Sequence, residues 1–121
     1  EKKLNKVAQK IKINAGIIEE LNKICKEEGY YLEFILFYSR HNLRFECWQE
    51  KFIKDKLMEL GVFYIDTKAI LLKYADQHSI DLNEFYKLEG DGANHHNNLG
   101  NEAIAEGILN YLSERYNLKC R

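Results

Sequence analysis

One run of eight residues, Tyr31-Leu32-Glu33-Phe34-Ile35-Leu36-Phe37-Tyr38, constrains the fold of this chain more than any other segment. All but Glu33 are apolar or aromatic. The run is too short for an independent helix, and it shows no alternation of polar and apolar positions. It reads as a strand buried on both faces, as in a parallel sheet covered by helices. Such a strand requires neighbours on both edges and helices above and below.

The flanking segments supply helices. Leu4, Val7, Ala8 and Ile11 recur at helical spacing, and Ile17, Ile18, Leu21, Ile24 and Cys25 form a second helical stripe, with Lys and Glu on the other face. Gly29 is placed to stop this helix. Ser39 to Phe45 is polar and basic and reads as a loop at the strand's C-terminal end. The helical period returns between Cys47 and Leu60 in Trp48, Phe52, Ile53, Leu57 and Leu60. Gly61 then precedes a second short strand, Val62-Phe63-Tyr64-Ile65-Asp66. Ile70, Leu71, Leu72 and Tyr74 fit a short helix, and residues 78–97 read mostly as loop. Asn98 is expected to cap a last helix with Ala103, Ile104, Ile108, Leu109 and Leu112 on its buried side. Helices alternating with apolar strands define an α/β fold with a parallel sheet and right-handed crossovers.

At 121 residues the chain is read as a single domain over 1–121, and 45% apolar residues suffice for a core. A net charge of −1, with acids and bases interspersed, argues against a nucleic-acid or anionic-membrane surface. No apolar run approaches the roughly 18–20 residues that span a bilayer, and no targeting signal is legible. Cys25, Cys47 and Cys120 are odd in number and lack CxxC spacing, so neither a disulfide framework nor a cysteine zinc site is expected. The two strands pose a difficulty. Sheets typically hold about four to six strands, and two parallel strands alone leave their outer edges unpaired. The missing strands are therefore expected before Glu1 or in another polypeptide that completes the sheet.

The chemistry concentrates in Asp91-Gly92-Ala93-Asn94-His95-His96-Asn97-Asn98-Leu99-Gly100-Asn101, ahead of the last helix. Polar loops on a rigid scaffold are where catalytic groups usually sit. His95 can take a proton near neutral pH, and a carboxylate beside it can fix its tautomer and stabilise the imidazolium. Asp91, four residues earlier in a Gly-containing loop, can fold back onto it. The pair would be two-thirds of a nucleophile–base–acid arrangement. A plainer reading stands beside it, in which Asp and Asn form turns and cap the helix.

His95-x-Asn97-x-x-Gly100-Asn101, with an Asp upstream and Ile104-Ala105-Glu106 in the helix downstream, resembles the last conserved block of the SGNH (GDSL-type) hydrolase family. The element order is also similar to the second half of that fold. The resemblance implies a flavodoxin-like three-layer α/β/α sandwich, of which this chain is the C-terminal half. It implies a serine ester hydrolase acting on acyl or O-acetyl esters, without a cofactor, with His95 as base and Asp91 as its partner. The family usually spaces the Asp three residues before the His; here the spacing is four, and Gly92 holds the expected place. The family's Gly-Asp-Ser block and its oxyanion-hole blocks are absent from these 121 residues. Of Ser39, Ser79 and Ser113, only Ser39 follows the apolar strand, and no Gly-x-Ser-x-Gly elbow surrounds it. The chain by itself is thus expected to be inactive, supplying His and Asp to a complete enzyme. Two alternatives remain: a non-catalytic α/β binding or interaction module, and a degenerate family member.

Other residues carry weaker signals. His96 reads as an exposed loop residue. A metal site of Asp91, His95 and His96 matches no helical HExxH spacing. Arg40, His41, Asn42 and Arg44 read as a solvated basic loop, although ligands of open α/β sheets bind beyond the strands' carboxyl ends. Trp48, Tyr30, Tyr31, Phe34, Phe37 and Tyr38 are expected to fill the core. Glu50 and Lys54 are expected to be a surface helix pair.

Overall fold

The structure is a computed structural model that describes residues 2–90 and 93–118. Its order is α1 (Lys2–Glu27), β1 (Glu33–Leu36), a 3-10 turn (His41–Leu43), α2 (Trp48–Glu59), β2 (Phe63–Asp66), α3 (Thr67–His78), a second 3-10 turn (Leu82–Phe85) and α4 (Asn98–Tyr116). β1 and β2 form a two-stranded parallel sheet. The mixed helix–strand character and the element order therefore agree with the sequence reading. The two stripes expected near the N-terminus belong to one continuous helix.

Local chemistry explains the boundaries. After α1 the chain turns at Gly29, whose φ is +73°. Tyr30 N–H then reaches back to the Cys25 carbonyl at 2.7 Å, which satisfies a carbonyl left open by the helix end. α2 ends in the same way: Gly61 has φ +65°, and Val62 N–H donates to the Leu57 carbonyl at 2.9 Å. A side chain at either position would have to adopt a left-handed conformation that L-residues disfavour. Asp66, the last residue of β2, accepts from the backbone N–H of Lys68 and Ala69, so strand passes to helix without a loop. Such a cap contributes about 1 kcal/mol. At Leu82–Phe85 a capping box joins Asp81 and Glu84.

The chain forms two compact units. The first comprises Glu1–Phe34 and Cys47–Tyr64. In it α1 buries Ile18 and Asn22, and α2 buries Leu57 and Glu50. Glu50 is thus not a surface residue. Its partner Lys54 lies one turn on at 2.8 Å and is itself largely covered, which offsets the cost of burying the carboxylate. Lys56 bridges Glu19 of α1 at 2.8 Å.

The second unit comprises Ile35–Glu46 and Ile65–Arg121. Its core joins Tyr38, Leu43, Leu71, Ala75, Phe85, Tyr86, Ala103 and Ile104. Thr67, fully buried at the start of α3, donates its hydroxyl to the Leu36 carbonyl at 2.6 Å and ties the helix to the end of β1.

Several expectations of burial are corrected. No residue of β1 is fully buried, and Ile35 is exposed. Beyond the strand, Phe37 is exposed while Tyr38 is buried, so an alternation emerges where none was legible. Leu36 and Tyr38 meet the core, whereas Ile35 and Phe37 point out. The physical reason is that nothing among the described residues covers the second face. Tyr30, Tyr31 and Trp48 are likewise exposed, and Phe34 is half-buried. In α4, Ala103 and Ile104 are buried, Ile108 and Leu112 are half-buried, and Leu109 is exposed.

Candidate functional site

The loop from Tyr86 to Asn97 is held by backbone hydrogen bonds at both ends. Lys87 N–H donates to the His95 carbonyl at 2.9 Å, and Asn94 N–H donates to the Lys87 carbonyl at 2.8 Å. Tyr86 and His96 form an isolated antiparallel bridge. Asn97 N–H donates to the Phe85 carbonyl at 2.9 Å. The described ends of this stretch, residues 86–87 and 94–97, which read as loop from sequence, are thus paired as a short ribbon anchored by Phe85 and Tyr86. That adjacent aromatic pair in a polar stretch was the available signal of burial.

The motif residues have identifiable structural tasks. Asn97, not Asn98, is the N-cap of α4: its side-chain oxygen accepts from Gly100 N–H at 3.0 Å, while Asn98 is already helical. The Asn97 amide also donates to the Glu84 carbonyl. One side chain therefore joins the helix start to the second 3-10 turn. Gly100 is buried against Phe85, and an added Cβ there would collide with the Phe85 carbonyl oxygen and approach His96 Cβ at 3.3 Å. Asn97 and Gly100 of the pattern are accounted for by capping and close approach, which leaves His95 and the exposed Asn101.

His95 is exposed. With Ala93, Asn94 and His96 it lines a surface depression of about 330 Å³, closed on the other side by Phe37, Tyr38 and Ser39. The loop therefore faces the residues that follow β1, at the carboxyl end of that strand. This is where ligands of open α/β sheets bind. Tyr86 strengthens the connection. Its hydroxyl donates to the Tyr38 carbonyl at 3.0 Å, and burial pushes the phenol up to about 12.

His96 departs from the sequence reading. It is half-buried, with its ring 4.7 Å from that of Tyr86 and 6.3 Å from that of Phe37. Its Nε2 is buried and meets no hydrogen-bond partner among the described residues. Burial, and then the neighbouring His95, push its pKa below the ordinary histidine value. The reason for the burial is the bridge to Tyr86, which turns the His96 ring onto the aromatic wall.

Asp91, the expected partner of His95, lies outside the described residues, as do Gly92 and Cys120. Ser39 is exposed and shares the depression with His95. The basic loop after β1 is engaged elsewhere: Leu43 is buried, His41 packs against Phe45, and Arg44 lies 3.8 Å from Asp81. Lys68 Nζ sits 5.3 Å over the Tyr38 ring and donates to the Phe45 carbonyl. Among the described residues, no group of three or more His, Cys, Asp or Glu is placed to hold a metal ion. Among them, too, no helix is long and apolar enough to cross a membrane. The chemistry available at the depression is thus a solvent-accessible imidazole, a hydroxyl and a half-buried imidazole of lowered pKa beside an aromatic wall.

Comparison with models of known protein families, with curated proteins and with solved structures returns no match.

Proposed function

We propose that this chain is the C-terminal half of an SGNH-type serine ester hydrolase with a flavodoxin-like α/β/α sandwich, in which His95 is the general base. The observation that carries the reading is the placement of His95 in a depression at the carboxyl end of β1, on a ribbon pinned by the motif's own Asn97 and Gly100. An exposed imidazole there can take a proton from a hydroxyl nucleophile and return it to the leaving alcohol. Asp91 is assigned the role of orienting His95. The nucleophilic serine and the oxyanion donors are assigned to a segment outside residues 1–121, because these residues contain no Gly-Asp-Ser block. The exposed Ile35 and Phe37 support a further layer over the open face of the sheet, supplied by such a segment or by a second chain. The substrate class is an acyl or O-acetyl ester.

The test is hydrolysis of a short-chain aryl ester by the complete protein. His95→Ala is expected to lower kcat by several orders of magnitude, on the scale of losing a triad member. Ser39→Ala is expected to leave kcat within a few-fold. Full activity in His95→Ala refutes the assignment. The absence of the serine block from these residues also favours a second reading, a non-catalytic α/β interaction module. Labelling of the complete protein by a serine-directed fluorophosphonate separates the two, since the module would not react.

A further inference from the structure

α1 is apolar on two sides. One stripe, with Val7, Ile11, Ala15, Ile18, Asn22 and Cys25, is buried or half-buried. The other, Ile13, Ile17, Leu21 and Ile24, advances in steps of three and four along one face. Its members are 55, 60, 39 and 46% exposed. Isolated exposed apolar residues need no explanation, but a contiguous stripe marks a surface that another molecule covers.

The charges continuing that face identify the occupant. Toward the N-terminus, the same helical spacing leads from Ile13 to Lys10 and Lys6. Toward the C-terminus, it leads from Ile24 to Glu27 and Glu28. The face therefore reads basic, then mainly apolar with Glu20 at its margin, then acidic. A parallel copy would set Lys10 against Lys10 and Glu27 against Glu27. An antiparallel copy sets Lys10 of one chain against Glu27 of the other, twice by symmetry. The register that does so also sets Ile13 against Ile24, and sets Ile17 level with Glu20 and one residue from Leu21. The stripe is self-complementary in both its apolar and its charged parts, as a two-fold interface requires.

We propose that a second copy of this chain docks antiparallel along the Ile13–Ile24 face of α1. One helix face per copy falls at the small end of specific interfaces, below roughly 1,200 Å² in total, so the dimer dissociates on dilution. The pairing rests on the first unit alone and uses none of the residues assigned to ester hydrolysis.

Sedimentation equilibrium of the full chain over a wide concentration range tests it. The mass should approach twice the protomer's at high concentration and fall to the protomer's on dilution. Ile17→Lys should remain a protomer throughout. Ile17 already faces water, so helical content by circular dichroism should match the parent, and Ile24→Gln should act in the same direction. Lys10→Glu should weaken the dimer about tenfold, because two symmetry-related contacts become repulsive. The double variant Lys10→Glu/Glu27→Lys should recover to within about threefold of the parent, because the swap restores antiparallel complementarity. A protomer mass at every concentration overturns the proposal. So does a dimer indifferent to Ile17→Lys, or a double variant no tighter than Lys10→Glu alone.

Discussion

Gly100 and Gly16 both lie inside helices, yet substituting Ala should move stability in opposite directions. At Gly16 an added Cβ meets no atom within 4 Å, so only the backbone effect acts. Ala should stabilise by about 0.5–1 kcal/mol through the smaller entropy lost on folding. At Gly100 the same gain is available, but the Cβ collides with the Phe85 carbonyl oxygen. That oxygen is backbone and cannot swing aside like a side-chain terminus. It also accepts from Asn97 N–H at 2.9 Å, and Phe85 is 0% exposed at the centre of the core. Relieving the overlap therefore lengthens a hydrogen bond with a net worth of about 1 kcal/mol. It also displaces a packed ring, and overpacking of this kind costs about 1–3 kcal/mol. After subtracting the helix-propensity gain, Gly100→Ala should destabilise by about 1–2 kcal/mol. Urea unfolding followed by circular dichroism reads this directly. With m-values of about 1–3 kcal/mol/M, the midpoint should fall by roughly 0.5–1 M for Gly100→Ala and rise for Gly16→Ala. A Gly100→Ala midpoint at or above the parent's would refute the close approach that positions the His95–His96 ribbon.

Three further outcomes follow from the same geometry. Asn97→Ala should cost about 1–2 kcal/mol, because it removes both the cap to Gly100 and the bond to the Glu84 carbonyl; Asn98→Ala, one position on, should change the urea midpoint little. Tyr86→Phe should destabilise by about 1 kcal/mol, since the Tyr38 carbonyl loses its donor in the core. In the parent, the folded-state Tyr86 stays protonated up to about 12, while the unfolded phenol ionises near 10. Stability should therefore drop as pH rises from 10 toward 12, and Tyr86→Phe should lose that part of the drop in alkaline unfolding curves. His96 has the opposite window. Its folded-state pKa lies below the ordinary value of 6.5, so the unfolded chain takes up the proton first. Stability should be full above pH 6.5 and decline as pH falls below it, and His96→Gln should flatten that slope in urea midpoints measured at several pH values.

The parts of the fold that are local in origin were legible. Gly29 was legible as a helix stop because the left-handed turn is set by the residue itself, and Gly61 ends α2 for the same reason. The alternation of helix and strand followed from periodicity, and Asp66 shows how the second strand passes directly into a helix through its own side chain. The cap of α4 was misplaced by one residue. Asn97 and Asn98 are both competent caps by residue type, and the Glu84 carbonyl, distant in sequence, selects the first. Burial was the least legible property. Tyr31 and Phe37 read as core yet are exposed, whereas Phe85 and Tyr86 sat within an apparent loop yet are buried.

His95 could be singled out from sequence because an imidazole within a polar, Asn- and Gly-rich loop is a chemical signal that needs no coordinates. Its surroundings could not. The shared depression with Ser39, the burial of His96 against Tyr86 and the bond from Tyr86 to Tyr38 join residues far apart in the chain. Sequence alone determined the helices, the strands, the Gly29 stop and the choice of His95 as the candidate side chain, since each depends on residues within a turn or two. Tertiary structure decided which face of α1 is buried, which Asn caps α4, why position 100 is Gly and where the imidazoles point. Those properties depend on which distant backbone arrives alongside, and no local pattern encodes that.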